Sequence, residues 1–383
     1  MARAPRGKWF ERCGADVTTK LEHHLRSLIR TTGPISVADY FHLCLSDPQY
    51  GYYKTHDPFG VDGDFITAPE ISQLFGEMIG IFLVHAWQSH GAPDNPHLVE
   101  IGPGRGTMMT DILRVIQKLA PALYGQLQVH LVESSERLQK VQSQSVVEHK
   151  FKTTWHDSLE TVPEGFTLAV ANELFDAIPM RQFVATGQGF RERMVALDEQ
   201  DNLTFAAGVA TLDPVSLPTG YDTARTGSIF ELAPARDAIM QQLSERIRSF
   251  GGTALIIDYG HMATSLGDTL QAVYQHQFDP PLAHPGDADL TSHVDFEALA
   301  RRARATGLHI NGILPQGDFL VMLGLLERAA ALGRNKDAVI QESIRMDVAR
   351  LAGSGEGKMG ELFKVLAVSH PAVDLVPFKL PPT

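Results

Sequence analysis

Between residues 97 and 133 the chain reads HLVEIGPGRGTMMTDILRVIQKLAPALYGQLQVHLVE. HLVEIG is a short apolar strand, GPGRGT a turn, TMMTDILRVIQKLAP an amphipathic helix stopped by Pro121, and QLQVHLVE a second strand. A strand, a crossover helix and a strand at this spacing place the two strands parallel in one sheet. The alternation continues downstream. SSERLQKVQSQSV reads as a helix, FKTTWHD as a third strand, and FTLAVANELFD as a fourth whose apolar body ends in Asn172, Glu173 and Asp176. After an interruption, the helix PARDAIMQQLSERIRSFGG and the strand GTALIIDYG, ending at Asp258 and Tyr259, return to the pattern, and ELFKVLAVSH reads as a last strand. The expected fold class is α/β, Rossmann-like, with a helical N-terminal region and inserted elements.

The segments outside that alternation divide the chain. Helices in VTTKLEHHLRSLIRTTG and SVADYFHLCL and an irregular loop, DPQYGYYKTHDPFGVDGDF, precede a helix expected from Pro69 to Gly91, so 1–90 forms a helical cap with a substrate-facing loop. Residues 91–180 hold the first part of the core, and 181–235, containing RQFVATGQGFRERMVALDEQDNLTFAAG, form a hairpin-rich insertion. The core continues over 236–266. Residues 267–360 are a second insertion of polar loop and helices, among them HVDFEALARRARATG and a stretch near FLVMLGLLERAAALG, and 361–383 supply the final strand and tail. No fixed-period repeat is present.

The 383 residues are 44% hydrophobic and 20% charged, enough to bury a globular core. A formal charge of -12 argues against general nucleic-acid binding, which needs a positive surface. Cys13 and Cys44 are too few for a disulfide framework and are not spaced as a metal-ligand pair. The basic opening MARAPRGKWFERCG lacks the apolar core of a secretory signal, and no stretch supplies the roughly 20 apolar residues of a membrane span. A cytoplasmic protein without membrane insertion is the expectation.

Gly102, Gly104 and Gly106 alternate directly after the strand that carries Glu100. A side chain at such positions would obstruct both left-handed backbone geometry and the close approach of a ligand. The helix that follows aims its first amides at whatever lies over the turn. This is a nucleotide-site architecture, with a glycine-rich structural turn as the plainer alternative. Its third glycine comes one residue earlier than in the dinucleotide pattern GxGxxG, and Arg105 and Thr107 do not supply the GK[ST] ending of a phosphate loop, so another adenosine ligand is favoured. Glu133 ends the neighbouring strand, where a carboxylate can accept hydrogen bonds from both ribose hydroxyls; a solvated acid at a helix start is the alternative. Asp157, after the third strand, is placed to meet the adenine amino group or equally to begin a helix.

The chain resembles the class I S-adenosylmethionine-dependent methyltransferases, and more closely the MidA-like family of mitochondrial complex I assembly methyltransferases and their bacterial relatives. The resemblance is carried by DGDFITAPEISQLFGEMIG, LVEIGPGRGTMMTDILR, HLVESSERLQ, ANELFDAIPMRQF, LIIDYG, DLTSHVDF and MGELFKV, blocks that span residues 62–365. It implies a seven-stranded methyltransferase core, S-adenosyl-L-methionine as cofactor in the turn from Gly102 to Gly106, and ribose contact through Glu133. Glu100, Asp157 and Asn172 complete the candidate cofactor contacts. The resemblance further implies a protein arginine methyltransferase acting on a subunit of respiratory complex I, or of the bacterial NADH dehydrogenase, during assembly. A small-molecule methyltransferase and a noncatalytic assembly chaperone are the alternatives; exposed apolar surface on the insertions would favour a protein partner over a small acceptor.

For an arginine acceptor the obstacle is protonation, because a guanidinium has a pKa above about 12 and no free lone pair. Nearby carboxylates can bind its forked donors, orient one nitrogen and accept the departing proton. Glu173 and Asp176 are the candidate catalytic pair, brought together if ELFDA turns helically. A capping Asn172 with both acids facing solvent would account for the same residues. Glu70, Asp258, Tyr259 and His261 are candidate substrate contacts, although helix initiation and loop positioning also suit them. Arg105 is expected as a ligand-edge or structural contact rather than a catalytic group, since its charge is awkward beside a sulfonium unless it points away. Asp289, His293 and Asp295 lack a zinc signature and read as part of a capped helix, so no metal is expected. GSGEGKMG lacks the phosphate-loop ending and reads as a flexible loop.

Overall fold

The computed structural model describes residues 18–55, 67–145, 153–218 and 220–378. The strand and helix alternation produces the expected parallel sheet. Its main path runs, in spatial order, His309–Pro315, Phe363–His370, Gly252–His261, Thr167–Asn172, His97–Ile101, Gln128–Val132 and Thr153–His156. The last five are mutually parallel, and Phe363–His370 runs antiparallel to both its neighbours. Val294–Asp295 adds a short parallel pairing at the end of Gly252–His261. The first two residues of FKTTWHD lie outside the described residues, as does the loop expected between Thr55 and Thr67 beyond the short helix Tyr52–Thr55.

Strands covered on both faces bury alternate residues in two different cores. Leu98, Val129, Leu168, Val170, Leu255 and Ile257 face the helices Gln73–Ser89 and Thr107–Leu119. Val99, Ile101, Ala169, Ala171, Ala254 and Ile256 face Pro234–Phe250 and Phe296–Ala305. The first pair of helices lies unusually close: a Cβ on Gly76 would stand 2.6 Å from Asp111 Cβ, and one on Gly80 would stand 3.0 Å from Val115 Cβ. The small residues that interrupt the apolar run QLFGEMIGIF are thus the contact surface.

The hairpins expected after residue 181 form a separate antiparallel sheet from Arg181–Thr186, Gly189–Leu197, Leu203–Thr211 and Ile229–Leu232, joined at one edge by Ile35–Ser36. The N-terminal helices Lys20–Thr32 and Val37–Ser46, capped by Thr19 and Ser36, bury Leu21, Leu25, Tyr40 and Phe41 against Val195 and Leu290.

Several elements depart from expectation. The helix foreseen from Pro69 to Gly91 breaks at Ser72, whose extended backbone (φ -160°) separates Ala68–Ile71 from Gln73–Ser89. The segment read as polar loop contains a three-stranded sheet of Gln277–Asp279, Gln271–Tyr274 and Asp289–Thr291. His309–Pro315 was not legible as a strand because HINGILP carries Asn311 and Gly312 at a register shift. Helix Ala338–Ala352 was missed, although Ile344, Val348 and Leu351 recur at helical spacing and pack on the core. FLVMLGLLERAAALG divides at Gly324 (φ 99°) into two helices, Gln316–Met322 and Leu325–Gly333.

Three histidines cross the parallel strands as a buried polar ladder. His97 Nδ1 lies 2.8 Å from His130 Nε2, and His130 Nδ1 lies 2.9 Å from His156 Nε2. His97 Nε2 faces the Glu164 carbonyl at 3.1 Å, which can only accept, so in the neutral rings His97 Nδ1 accepts from His130 Nε2–H and His130 Nδ1 from His156 Nε2–H. Burial, the neighbouring rings and Arg246 push His130 down to about 3, and burial lowers both His97 and His156. The folded rings therefore bind fewer protons than the unfolded ones below the ordinary histidine value of 6.5, so their contribution to stability is complete above that pH and declines as pH falls toward 3. Melting temperature followed from pH 7 to pH 4 should decrease, and the decrease should be shallower in His130→Gln; an identical slope in that variant would assign the acid sensitivity elsewhere.

Candidate active site

The glycine turn sits at the carboxyl end of His97–Ile101, with Gly102, Gly104 and Gly106 at φ 69°, 52° and 80°. All three occupy the left-handed region that side chains disfavour. Gly106 is also the N-cap of Thr107–Leu119, so the helix begins directly over the turn. A Cβ on Gly102 would stand 2.9 Å from Leu174 Cδ1, in the loop that follows the fourth core strand. The turn therefore needs glycine for backbone geometry and for close approach.

Glu133 converges on the same turn. Its Oε1 accepts from Ser135 N–H at 2.8 Å, and its Oε2 accepts from Gln142 Nε2 at 3.3 Å, while that Nε2 also donates to the Gly104 carbonyl at 2.9 Å. Burial raises the Glu133 pKa against these hydrogen bonds. Gln142 gave no signal in the sequence, because a glutamine in the polar helix Glu136–Ser145 looks like solvent-facing surface. Asp157 lies exposed just beyond Thr153–His156.

A cleft opens beside the turn, walled by Thr67, Glu70, Glu100, Arg105, Asn172 and Glu173. Glu100 is 2% exposed; burial pushes its carboxyl up to about 8, and Oε2 has no hydrogen-bond partner among the described residues. Asn172 Oδ1 is likewise buried and unpartnered, while its Nδ2 donates to Glu173 Oε1 at 3.1 Å. Glu173 holds a left-handed backbone (φ 49°), rare for a residue with a side chain, and Oε1 also accepts from Ala68 N–H at 3.0 Å. Burial pushes its pKa up to about 7. Across the cleft, Glu70 accepts from Thr107 Oγ1 at 3.2 Å and stands 3.8 Å from Arg105, whose exposed guanidinium is thereby drawn to the rim.

The anticipated Glu173 and Asp176 pair is not assembled, because ELFDA makes no helical turn. Glu173 enters the cleft, whereas Asp176 turns inward, its Oδ2 accepting from Tyr259 OH at 2.7 Å. Asp258 is fully buried and acts on backbone: its carboxylate accepts from the N–H groups of Phe175 at 2.9 Å, Asp176 at 3.2 Å and Tyr259 at 2.9 Å. The buried Arg236 supplies counter-charge, donating to the carbonyls of Ile178, His293 and Asp176. Asp258 and Tyr259, expected at a substrate, thus hold the 174–178 loop. His261 lies outside this cleft and lines a second cavity of about 300 Å³ with Glu231, Arg236, His293 and Asp295. Asp295 caps Phe296–Ala305 through Ala298 N–H at 3.0 Å.

The profile of the S-adenosyl-L-methionine-dependent methyltransferase family matches residues 78–314. The chain is 37% identical over 376 residues to protein arginine methyltransferase NDUFAF7, mitochondrial, of Rattus norvegicus, covering 91% of this chain and 84% of that protein. It is also 37% identical over 373 residues to the NDUFAF7 homolog of Drosophila melanogaster, with coverage of 91% and 84%. The chain belongs to this methyltransferase family. The methyltransferase also superposes on a Burkholderia thailandensis protein solved with S-adenosyl-homocysteine, at TM-score 0.80 and 27% identity over 92% of each chain. Its fold is that of the class I enzymes and its methyl donor is S-adenosyl-L-methionine. The residues present fit that donor: a turn with glycine at Gly102, Gly104 and Gly106 lies beside two buried polar oxygens without partners among the described residues, Glu100 Oε2 and Asn172 Oδ1.

The cytoplasmic location expected from the sequence is overturned, since these relatives are mitochondrial proteins. Scarce cysteine and the lack of a long apolar segment could not make the distinction, because the cytoplasm and the mitochondrial interior are both aqueous and reducing. Gly102→Ala should cost about 1 kcal/mol in backbone strain and crowd Leu174. Calorimetric titration with S-adenosyl-homocysteine should register weakened binding, and wild-type affinity would show that the turn accommodates a methyl group.

Proposed function

We propose that this methyltransferase transfers the methyl group of S-adenosyl-L-methionine to an arginine side chain of a respiratory complex I subunit, or of its bacterial NADH dehydrogenase equivalent, during assembly. The observation that carries the chemistry is Glu173: a half-buried carboxyl held in left-handed backbone, aimed into the cleft beside the glycine turn and raised to about 7 by burial. The likeness over most of the chain to proteins named as arginine methyltransferases supports the choice of acceptor.

Bound in the glycine cradle, the donor supplies an electrophilic methyl group. Glu133 would accept hydrogen bonds from the ribose hydroxyls, and the unpartnered Glu100 carboxyl would face the cationic methionine end, whose charge favours ionising an acid that burial alone holds protonated. Asn172 Oδ1 accepts from a donor N–H. A guanidinium entering between Glu70 and Glu173 meets two carboxylates that can take its forked donors and turn one nitrogen toward the methyl group. Glu173 takes the proton which that nitrogen sheds. Asp176, Asp258 and Tyr259 act at one remove as positioning residues, locking the loop from which Glu173 projects.

Incubating the protein with methyl-labelled donor and purified complex I subunits, then mapping peptides by mass spectrometry, should locate label on arginine; label confined to other residue types would exclude the arginine assignment. Glu173→Gln should lower turnover by about 100-fold or more while leaving donor affinity close to wild type. Because the carboxylate is the working form and its pKa is about 7, wild-type turnover should rise as pH passes upward through 7. A flat profile between pH 6 and pH 8 would remove Glu173 as the base.

A further inference from the structure

Gln142 is completely buried, on a helix whose only other buried residue is Leu138. Burying a primary amide is costly unless both ends are hydrogen-bonded, and here they are. Gln142 Oε1 accepts from Trp155 Nε1–H at 2.9 Å, while Nε2 donates to the Gly104 carbonyl at 2.9 Å and to Glu133 Oε2 at 3.3 Å. An indole nitrogen can only donate and a carbonyl can only accept, so the amide has one permissible orientation. A Cβ on Gly106 would lie 3.6 Å from Gln142 Cα, so the helix backbone also rests on the turn.

One side chain therefore ties together three adjacent parallel strands: it reaches the glycine turn after His97–Ile101, the acid after Gln128–Val132, and Trp155 on Thr153–His156. The donor's adenosine must reach the turn and Glu133 at once, so the separation of those two groups decides whether it binds. We propose that Gln142 is a positioning residue for the methyl donor, an amide bridge that sets this separation and aims Glu133 to receive the ribose. The proposal rests on Glu133 being the ribose acid. Gln142 also helps select the charge state of that acid, since a neutral N–H donor favours carboxylate over carboxylic acid.

Two substitutions separate bridging from bulk. Gln142→Met fills the same space without a donor, and titration with S-adenosyl-homocysteine should show about tenfold weaker binding, the effect of losing hydrogen bonds to a charged group. Gln142→Glu places a second carboxyl against Glu133 and the Gly104 carbonyl. Its affinity should be lowest at pH 8 and recover toward pH 6, because the protonated acid regains an O–H donor and the pair shares one proton. Wild-type affinity in Gln142→Met, or no recovery toward acid in Gln142→Glu, would overturn the bridge. Should either variant fail to show a cooperative melt, Trp155→Phe keeps the aromatic packing but frees the amide; it should bind about threefold more weakly, and unchanged binding would also overturn the proposal. Glu133→Ala measured alongside separates the two ideas. Normal binding there removes the ribose assignment, whereas weakened binding beside an intact Gln142→Met removes only the bridge.

Discussion

The cleft depends on three left-handed glycines, Gly102, Gly104 and Gly106, in the bend at the carboxyl end of the middle strand of the parallel sheet. Gly102 N–H donates to the Val132 carbonyl at 3.1 Å, which ties the bend to the next strand, and Gly106 launches the helix Thr107–Leu119. That helix is pressed onto Gln73–Ser89 across Gly76 and Gly80, and the neighbouring turn delivers Glu70 to the opposite wall. A side chain at Gly102 would therefore strain the bend and press on Leu174 in the loop that carries Glu173.

Around this bend the protein concentrates carboxyl groups at the ends of its central strands. Glu100, Glu173, Asp176 and Asp258 all have pKa values raised first by burial, and Arg236 is the buried cation placed to compensate Asp176 and Asp258. Glu100 and Glu173 sit beyond that compensation and face the cleft. Buried acids without counter-charge favour a cationic occupant, because the ligand supplies what desolvation removed. A sulfonium donor and a guanidinium acceptor both meet that demand. The same need for compensation explains why Asp258 can lie so deep: its charge is spread over three backbone N–H groups that shape the loop carrying Glu173.

What was legible in the residues was local. The glycine spacing, the strand-ending Glu133 and the alternation of strand and helix announced themselves because each depends on neighbours only a few positions away. The acids of ELFD were visible too, but their partnership was misjudged: a spacing of three suggests one helical face, whereas Glu173 takes a left-handed backbone and lines the cleft while Asp176 is buried against Tyr259 OH. Gln142 was illegible for the reverse reason. Its helix is polar throughout, and only contacts with Gly104 and Trp155, 38 and 13 residues away, disclose that it faces inward. The histidine ladder obeys the same rule, since His97, His130 and His156 become neighbours only when their strands pair in register.

The amino-acid order alone thus determined the class of fold and the place of the glycine turn, because glycine conformation, helix periodicity and strand alternation are short-range properties of a chain. Tertiary structure decided which acids serve the cleft and which serve the scaffold. It also decided that a buried amide would join the turn to Glu133. Those outcomes depend on burial and on pairing between residues distant in sequence, where the cost of an unpartnered charge or amide is settled by the whole packed sheet rather than by any one segment.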